Sequence, residues 1–267
     1  MRASARRIWG LVYRHLALFR RSWPRVVDMA YWPILNVIIW GFTTRFLGQN
    51  LGVGAAAFTA SALIGGLLLW EVVLRGQMGA SLTFMEEIWS RNLGHLFVSP
   101  LRPSELIAAL LSMSLLRTLA GILPALLVAW ALYAFDVTAI GPVMVLFAAN
   151  LLMMGWWISL AVIALILRHG AGAEALAWSL VFGFAPLSAV FYPVSVLPGW
   201  LRAMAFALPS SHVFEGMRAV IATGTVAWEQ MAWAAGLNVI WLCLAIAIFA
   251  TQFHAARVRG ALISIGE

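Results

Sequence analysis

FMEEIWSRNLGHLFVSPLRPSEL, which runs from Phe84 to Leu106, is the one long polar stretch of mixed charge in an otherwise apolar chain. Its apolar residues recur at three- and four-residue steps, which places them on one face of a helix and the polar residues on the other. The apolar face comprises Leu82, Met85, Ile88, Trp89, Leu93, Leu96 and Phe97, and the polar face comprises Glu86, Glu87, Ser90, Arg91, Asn92 and His95. The spacing predicts an amphipathic helix over residues 82–98, which Pro100 and Pro103 would end.

Two interpretations of this helix remain open from the residues alone. It either lies passively on the lipid headgroups or docks onto another protein. Glu86 and Glu87 favour docking, because anionic headgroups repel an acidic face. Glu87 and Arg91 are also spaced to form a favourable i,i+4 pair within the helix.

The composition predicts an integral membrane protein. Of the 267 residues, 63% are hydrophobic and 10% are charged, whereas a soluble domain carries about 25% charged residues. Because each helical span needs ~20 apolar residues, the chain has room for five to seven spans in a single domain over residues 1–267. We predict six spans, over residues 29–47, 56–73, 105–135, 141–167, 173–191 and 231–253.

Residues 1–27 combine arginines with an apolar stripe, formed by Ile8, Leu11, Val12, His15, Leu16 and Phe19. This pattern predicts an amphipathic helix in the membrane interface, with its end or a kink at Pro24. The first long apolar run follows this Arg-rich stretch, so we expect it to be a membrane span and not a cleaved leader.

All 17 basic residues are arginine. A P-loop requires a lysine on the nucleotide phosphates, so if ATP drives this protein, another chain must hydrolyse it. The five histidines lack metal-ligand spacing, and the sequence shows no catalytic constellation and no sign of nucleic-acid binding. We therefore expect no cofactor, no metal and no catalytic residue in this chain.

The arginines also predict the orientation of the spans. With the N-terminus inside, the inner segments hold 13 arginines and the outer segments hold three, Arg45, Arg202 and Arg218. Positive charge collects on the cytoplasmic side, so both termini and the 82–98 helix are expected in the cytoplasm. The remaining arginine, Arg117, lies within the third span, where we expect a structural ion pair with Glu71, the alternative being a substrate-lining role.

The segment from Tyr192 to Trp228 is expected on the outer side. Its apolar pieces are too short to span a bilayer, and Pro193, Pro198 and Pro209 interrupt them. It therefore contains short helices over residues 193–221 that are either re-entrant or interfacial.

The whole arrangement resembles the export-type permease subunits of ABC transporters, the group that exports polysaccharides, lipids and drugs. In the loop, Glu87, Gly94 and Pro100 resemble a family pattern that precedes the third span. The more specific match is PVSVLPGWLRAMAFALPSSHVFEGMRAVI, which resembles the family signature P-x-S-x-L-P…P-x-x-x-x-x-E-x-x-R. The matching residues are Pro193, Ser195, Leu197, Pro198, Pro209, Glu215 and Arg218.

The resemblance implies an all-α permease of six spans, with a connecting helix over residues 1–27, a coupling helix over 82–98 and two re-entrant helices over 193–221. It implies a bacterial cytoplasmic-membrane exporter of a lipidic, glycan-linked or other amphiphilic molecule. The partners would be a second permease copy and two ATP-binding cassette subunits carrying ATP and Mg²⁺. The implied coupling residues are Glu86, Glu87, Arg91, Gly94 and His95, and the implied outer-gate residues are Tyr192, Pro193, Pro198, Pro209, Glu215 and Arg218. The alternative function is a stand-alone secondary carrier or an intramembrane assembly factor.

Overall fold

The computed structural model describes residues 2–49, 53–94, 99–133 and 141–259, and its regular elements there are all helical. The predicted all-α class is therefore confirmed. The longer helices are α1 (Arg2–Arg21), α2 (Trp23–Gln49), α3 (Val53–Trp89), α4 (Pro103–Tyr133), α5 (Val143–His169), α6 (Glu174–Phe184), α7 (Gly199–Phe206), α8 (Pro209–Thr223) and α9 (Trp228–Val258). Short 3₁₀ turns cover Ala171–Ala173 and Val194–Val196.

Five of these helices, α2, α3, α4, α5 and α9, are long and apolar enough to cross a membrane. The chain is thus a multi-pass membrane protein. The span predicted over residues 173–191 contains only the 11-residue helix α6, which is about 16 Å long and shorter than the ~30 Å hydrocarbon core. Turns that include Pro186 follow α6, so by length this element does not support the predicted count of six.

The centre of the bundle is the contact between α3 and α5, which depends on glycine. A Cβ atom on Gly155 would lie 2.8 Å from the carbonyl oxygen of Val73 and 2.8 Å from the amide nitrogen of Gln77. Small residues allow membrane helices to approach this closely. The contact places α3 and α5 at the core, and 72% of each helix's most apolar segment is buried, against 17% for α2 and 22% for α9.

Helix α3 has 37 residues and is therefore about 55 Å long, longer than a bilayer core requires. It absorbs the first half of the predicted 82–98 helix, because Phe84, Met85 and Ile88 face the protein core. The prediction of a separate helix that begins at residue 82 is therefore wrong, since α3 continues through this position to Trp89. Residues 95–98 lie outside those that the structure describes.

A Schellman motif ends α3. The amide of Arg91 donates to the carbonyl of Ile88 at 2.8 Å, and the amide of Asn92 donates to the carbonyl of Glu87 at 2.9 Å, which is the hydrogen-bond pattern of this cap. Arg91 occupies the left-handed position with a φ of 52°, where glycine is the usual residue. The chain therefore turns away from the helix axis directly after Trp89.

The predicted apolar stripe of α1 is the face that the helix packs against the bundle. Leu11, Val12 and His15 are buried, and Leu11 and Val12 belong to the main hydrophobic core. Helix α1 ends at Arg21, earlier than predicted, and Pro24 falls in the first turn of α2, a position that proline tolerates. We call the bundle end where α1 meets the last turns of α3 and the start of α4 the α1 end, and the opposite end, formed by α7 and α8, the cap end.

Candidate functional site

The α1 end holds the acidic pair that the sequence singled out, but as part of a buried junction. The side chain of Glu87 is 1% exposed and that of Glu86 is 16% exposed. Helix α1 covers both carboxylates. The prediction that they form an outward acidic face is therefore wrong, because their charge is taken up within the protein.

Glu87 has three partners from two parts of the chain. Its carboxylate forms an ion pair with Arg14, and its Oε1 lies 2.9 Å from Nε2 of His15. The side-chain amide of Asn92 donates to Oε2 at 2.8 Å. Arg91, the i,i+4 partner expected from the sequence, is exposed and forms no ion pair among the described residues, because the left-handed turn removes it from the helix.

Glu86 connects α1, α2 and α4. Its Oε2 accepts a hydrogen bond from Nη2 of Arg117 at 2.8 Å and lies 3.4 Å from Nδ1 of His15, and its Oε1 lies 3.7 Å from Nη1 of Arg25. The guanidinium of Arg117 also lies over the ring of Phe19, 4.7 Å from its centroid, a cation–π contact.

The predicted pair of Glu71 with Arg117 is wrong. Glu71 accepts a hydrogen bond from the side-chain amide of Asn36 at 2.6 Å and lies 3.4 Å from Nε of Arg75. Arg117 instead extends towards the α1 end, as long cationic side chains do when the stem lies in an apolar environment.

A third carboxylate, Glu105, fastens α1 to the start of α4, and the sequence interpretation missed it. It accepts hydrogen bonds from Arg7 at 2.8 and 2.5 Å and from the hydroxyl of Ser4 at 2.6 Å. It also caps the backbone amide of Arg102 at 3.0 Å. The available signal was the seven-residue spacing of Arg7 and Arg14, which places both at the same side of α1.

His15 is buried between the two glutamates of α3. Burial disfavours its charged form, but the ion-pair contacts with Glu86 and Glu87 outweigh that effect and raise the pKa of His15 above its ordinary value. The imidazolium is therefore the form that this junction stabilises.

The remaining predicted coupling residues lie in or near the turn after α3. Arg91 is exposed, Gly94 is half-buried, and His95 lies outside the described residues. Trp89, which precedes the turn, is 55% exposed. The accessible surface of this turn is thus aromatic and basic, not acidic.

At the cap end, the predicted prolines mark the starts of elements. Pro193 precedes the 3₁₀ turn Val194–Val196, Pro198 precedes α7, and Pro209 occupies the first turn of α8. The hydroxyl of Tyr192 donates to the carbonyl of Pro186 at 2.6 Å. The structure therefore brings the predicted gate residues together in one compact cap.

Glu215 and Arg218 hold this cap to the preceding turn. Glu215 accepts a hydrogen bond from the amide of Val194 at 2.7 Å and one from Arg218 at 3.0 Å. Arg218 also donates to the carbonyl of Ala189 at 3.0 Å, and Ala189 has a left-handed φ of 54°. The local pair expected from the sequence exists and also restrains a strained backbone position.

The first turn of α8 adds buried polar contacts that the sequence did not indicate. The hydroxyl of Ser210 donates to that of Ser188 at 2.8 Å, and the hydroxyl of Ser211 donates to the carbonyl of Ala205 at 2.6 Å. The ring of His212 lies 2.7 Å from the side-chain oxygen of Gln230. The contact of Ser210 fastens α8 to the turns after α6, that of Ser211 joins α8 to α7, and that of His212 joins α8 to the start of α9.

The comparison with protein families agrees with this architecture. The family model described as ABC-2 type transporter matches residues 6–222, which is most of the chain. The match includes most of α1, the turn after α3 and almost all of the cap. No curated protein matches the chain. Membership of this family implies association with an ATP-binding cassette subunit. The chain belongs to the ABC-2 type transporter family and is a membrane-spanning permease of an ABC transporter.

Proposed function

We propose that this chain is the permease of an ATP-driven exporter that moves a lipidic, glycan-linked or other amphiphilic molecule outward across the bacterial cytoplasmic membrane. ATP and Mg²⁺ bind to separate subunits. The absence of lysine from the sequence supports this division of labour, since a P-loop needs one. Family membership favours this function over a stand-alone carrier or an assembly factor.

One observation carries the proposal: ion pairs join α1, the end of α3 and the start of α4 into one unit, and Ser90 and Arg91 of the turn after Trp89 are exposed beside it. Arg14 pairs with Glu87, and Arg7 pairs with Glu105. A partner subunit that pushes on this turn moves three helices together. The turn is therefore the proposed contact for the ATP-binding subunit.

The proposed contact residues differ in part from those first predicted. Trp89 and Arg91 are exposed and take the place of the two buried glutamates, while Gly94 and His95 remain candidates by their position in the chain. Aromatic and arginine side chains are the residues most enriched in binding hot spots. Glu86 and Glu87 act indirectly, by holding the turn on α1.

At the opposite end, we propose that the cap is the outer gate. The hydrogen bonds of Glu215 and Arg218 join α8 to the turn at Val194, so the hairpin can shift as one piece. We place the cap outside the cell and both termini in the cytoplasm, as the arginine distribution favours. Helix α6 and the turns that follow it to Phe191 would then supply a sixth crossing. The carbonyl of Val190 lies against Gly66, which is in the first half of α3, so this segment extends towards the cap end.

An amphiphilic cargo is supported by the lining of the spans. A groove of about 640 Å³ between α3, α4 and α5 is lined by apolar side chains, apart from Thr118. The hydroxyl of Thr118 donates its one proton to the carbonyl of Ser114, so only its oxygen could accept a hydrogen bond from a cargo. A molecule that remains partly in hydrocarbon fits such surroundings better than a sugar or an ion does.

The test is co-purification of the permease with its ATP-binding subunit, followed by transport of a fluorescent lipid in proteoliposomes. We expect a complex whose mass corresponds to two permeases and two ATP-binding subunits. Trp89→Ala combined with Arg91→Ala should reduce the amount of bound ATP-binding subunit at least tenfold, because a pair of hot-spot residues contributes more than about 1.4 kcal/mol to binding.

The matched control is Trp200→Ala, which removes another exposed tryptophan, 69% exposed against 55% for Trp89, at the cap end and should leave the complex intact. If the double variant retains its ATP-binding subunit as the control does, the turn is not the coupling contact. If no ATP-binding subunit co-purifies with the unmodified chain and ATP drives no lipid movement, the exporter proposal itself is wrong.

A further inference from the structure

A second cavity at the α1 end is lined by charged and apolar side chains, and only Glu86 and Trp89 of its lining also belong to the proposed coupling contact. It has a volume of about 380 Å³ and lies between the end of α1, the first turns of α2, the last turns of α3 and the middle of α4. Its charged and aromatic lining comprises Arg25, Asp28, Arg75, Glu86, Trp89 and Arg117. Both α2 and α3 are long and apolar enough to span a membrane, and the cavity lies towards the end of the bundle where α2 begins and α3 ends.

Arg117 lines this cavity, and one of its donors has no partner. Its side chain is 8% exposed, and its Nη2 is bound to Glu86. Its Nε is buried without a hydrogen-bond partner. A buried N–H group without an acceptor is costly, and a guanidinium can make two parallel bonds to a phosphate. An acceptor with several oxygens, such as a phosphate, would supply the partner that this guanidinium lacks.

Two further arginines have spare donors. Arg75 is 16% exposed and has one ion-pair contact among the described residues, from its Nε to Glu71 at 3.4 Å. Arg25 is 48% exposed and lies 3.7 Å from Glu86. Each guanidinium carries five N–H donors, so most donors of these two side chains are available to a ligand.

The same cavity also offers negative charge. Asp28 is exposed and forms no ion pair in the described part of the chain, and Glu86 lies deeper and is already shared by Arg117, His15 and Arg25. A bare anion would meet both carboxylates. A ligand that carries an anionic and a cationic group matches the two kinds of charge at once.

We propose that this cavity binds the zwitterionic headgroup of a membrane phospholipid that carries a primary amine. The phosphate would lie against Arg25, Arg75 and Arg117, and the ammonium against Asp28. Apolar side chains such as Met78 and Leu82 line the same cavity and would contact the first carbons of the acyl chains. This lipid is a resident ligand of one permease and is distinct from the cargo.

Binding is tested by titrating the purified permease in detergent with three probes and measuring the dissociation constant by native mass spectrometry. The probes are dioleoyl phosphatidylethanolamine, dioleoyl phosphatidylglycerol and inorganic phosphate. We expect the ethanolamine lipid to bind about tenfold more tightly than the glycerol lipid, which corresponds to one charge-assisted contact. Inorganic phosphate should not displace it.

Three variants assign the contacts. Arg75→Gln should weaken binding of both lipids about tenfold, and it spares the buried pair of Arg117 with Glu86. Asp28→Asn should abolish the preference for the ethanolamine lipid. Arg6→Gln, which changes an exposed arginine of α1 outside the cavity, should bind as the unmodified protein does.

Any of three results would overturn the assignment. Equal lipid affinities of the Arg75 and Arg6 variants would show that the lipid does not bind in this cavity. Equal affinity for the two lipids would remove the role of the ammonium group. Displacement of the lipid by inorganic phosphate would identify a site for the free anion. None of these results depends on ATP-driven transport, so the proposed function could stand or fall separately.

Discussion

The two ends of this permease are held together by different kinds of contact. At the α1 end, side chains far apart in sequence form ion pairs, such as Arg7 with Glu105 and Arg14 with Glu87. At the cap end, side chains bond mainly to nearby backbone groups, as Glu215 does to the amide of Val194 and Arg202 to the carbonyl of Ser195. One end joins separate elements through charged side chains, and the other holds the short elements between Pro186 and Gln230 together, mainly through backbone groups.

This difference has mechanical consequences. Ion pairs between elements can separate as a set and can depend on pH, so they suit a junction that transmits movement between helices. Hydrogen bonds to the backbone preserve the shape of a hairpin while it moves. The α1 end therefore corresponds to the proposed input of the permease, and the cap to the element that responds.

The largest expected effect is at Glu87. Glu87→Gln keeps the shape of the side chain and an acceptor for Asn92, but it leaves Arg14 and buried His15 without their counter-charge. We expect the free energy of unfolding to fall by about 3 kcal/mol, as when one partner of a buried ion pair is removed. Denaturant unfolding of the detergent-purified chain measures it.

The control for this prediction is the same substitution at an exposed site, Glu229→Gln in the first turn of α9. An exposed position such as this should change stability by no more than about 0.5 kcal/mol. Equal unfolding midpoints for the two variants would show that the α1 end does not depend on its ion pairs.

A smaller effect is expected at the cap. Glu215→Gln keeps the oxygen that accepts hydrogen bonds from the amide of Val194 and from Arg218. It loses the negative charge that strengthens both bonds. We expect local destabilisation of about 1 kcal/mol, seen as faster hydrogen exchange at Val194–Leu197. Glu87→Gln should leave exchange at these amides unchanged. If it accelerates them equally, the two ends are not independent.

The smallest effect is the pH dependence of the α1 end. The pKa of His15 in the folded protein lies above its ordinary value of 6.5. A group with a raised folded pKa contributes stability fully below the unfolded pKa and loses it as the pH rises through the folded value. The attachment of α1 should therefore weaken as the pH rises above about 6.5.

The measurement is the thermal midpoint at a series of pH values. Glu86 and Glu87 face the ring of His15 directly, and Arg14, Arg25 and Arg117 compete for the same carboxylates. His15→Gln should flatten the curve, while His254→Gln, at an exposed position of α9, should retain it. A curve that keeps its slope without His15 would assign the titration to another group.

Much of the fold followed from local patterns. The apolar runs predicted the five long spans, and the prolines predicted the short elements of the cap, because both depend on neighbouring residues. The end of α3 did not follow. Its Schellman motif places Arg91 in the left-handed position, and a cap without glycine gives no sequence signal.

The candidate site was predictable only in part. The pairing of Glu215 with Arg218 followed from a spacing of three residues on a helix. The partners of Glu86 and Glu87 did not, since Arg14 and His15 are more than 70 residues away in the chain. Periodicity identifies which face of a helix is polar, but it does not show what covers that face.

The sequence by itself determined that this protein is a helical, multi-pass membrane protein, because hydrophobic length is a local property. The tertiary structure decided that the acidic pair is a buried junction and that Trp89 and Arg91 are the exposed residues of the turn. The physical reason is that burying a carboxylate requires counter-charges, and here the folding of α1 onto α3 and α4 supplies them.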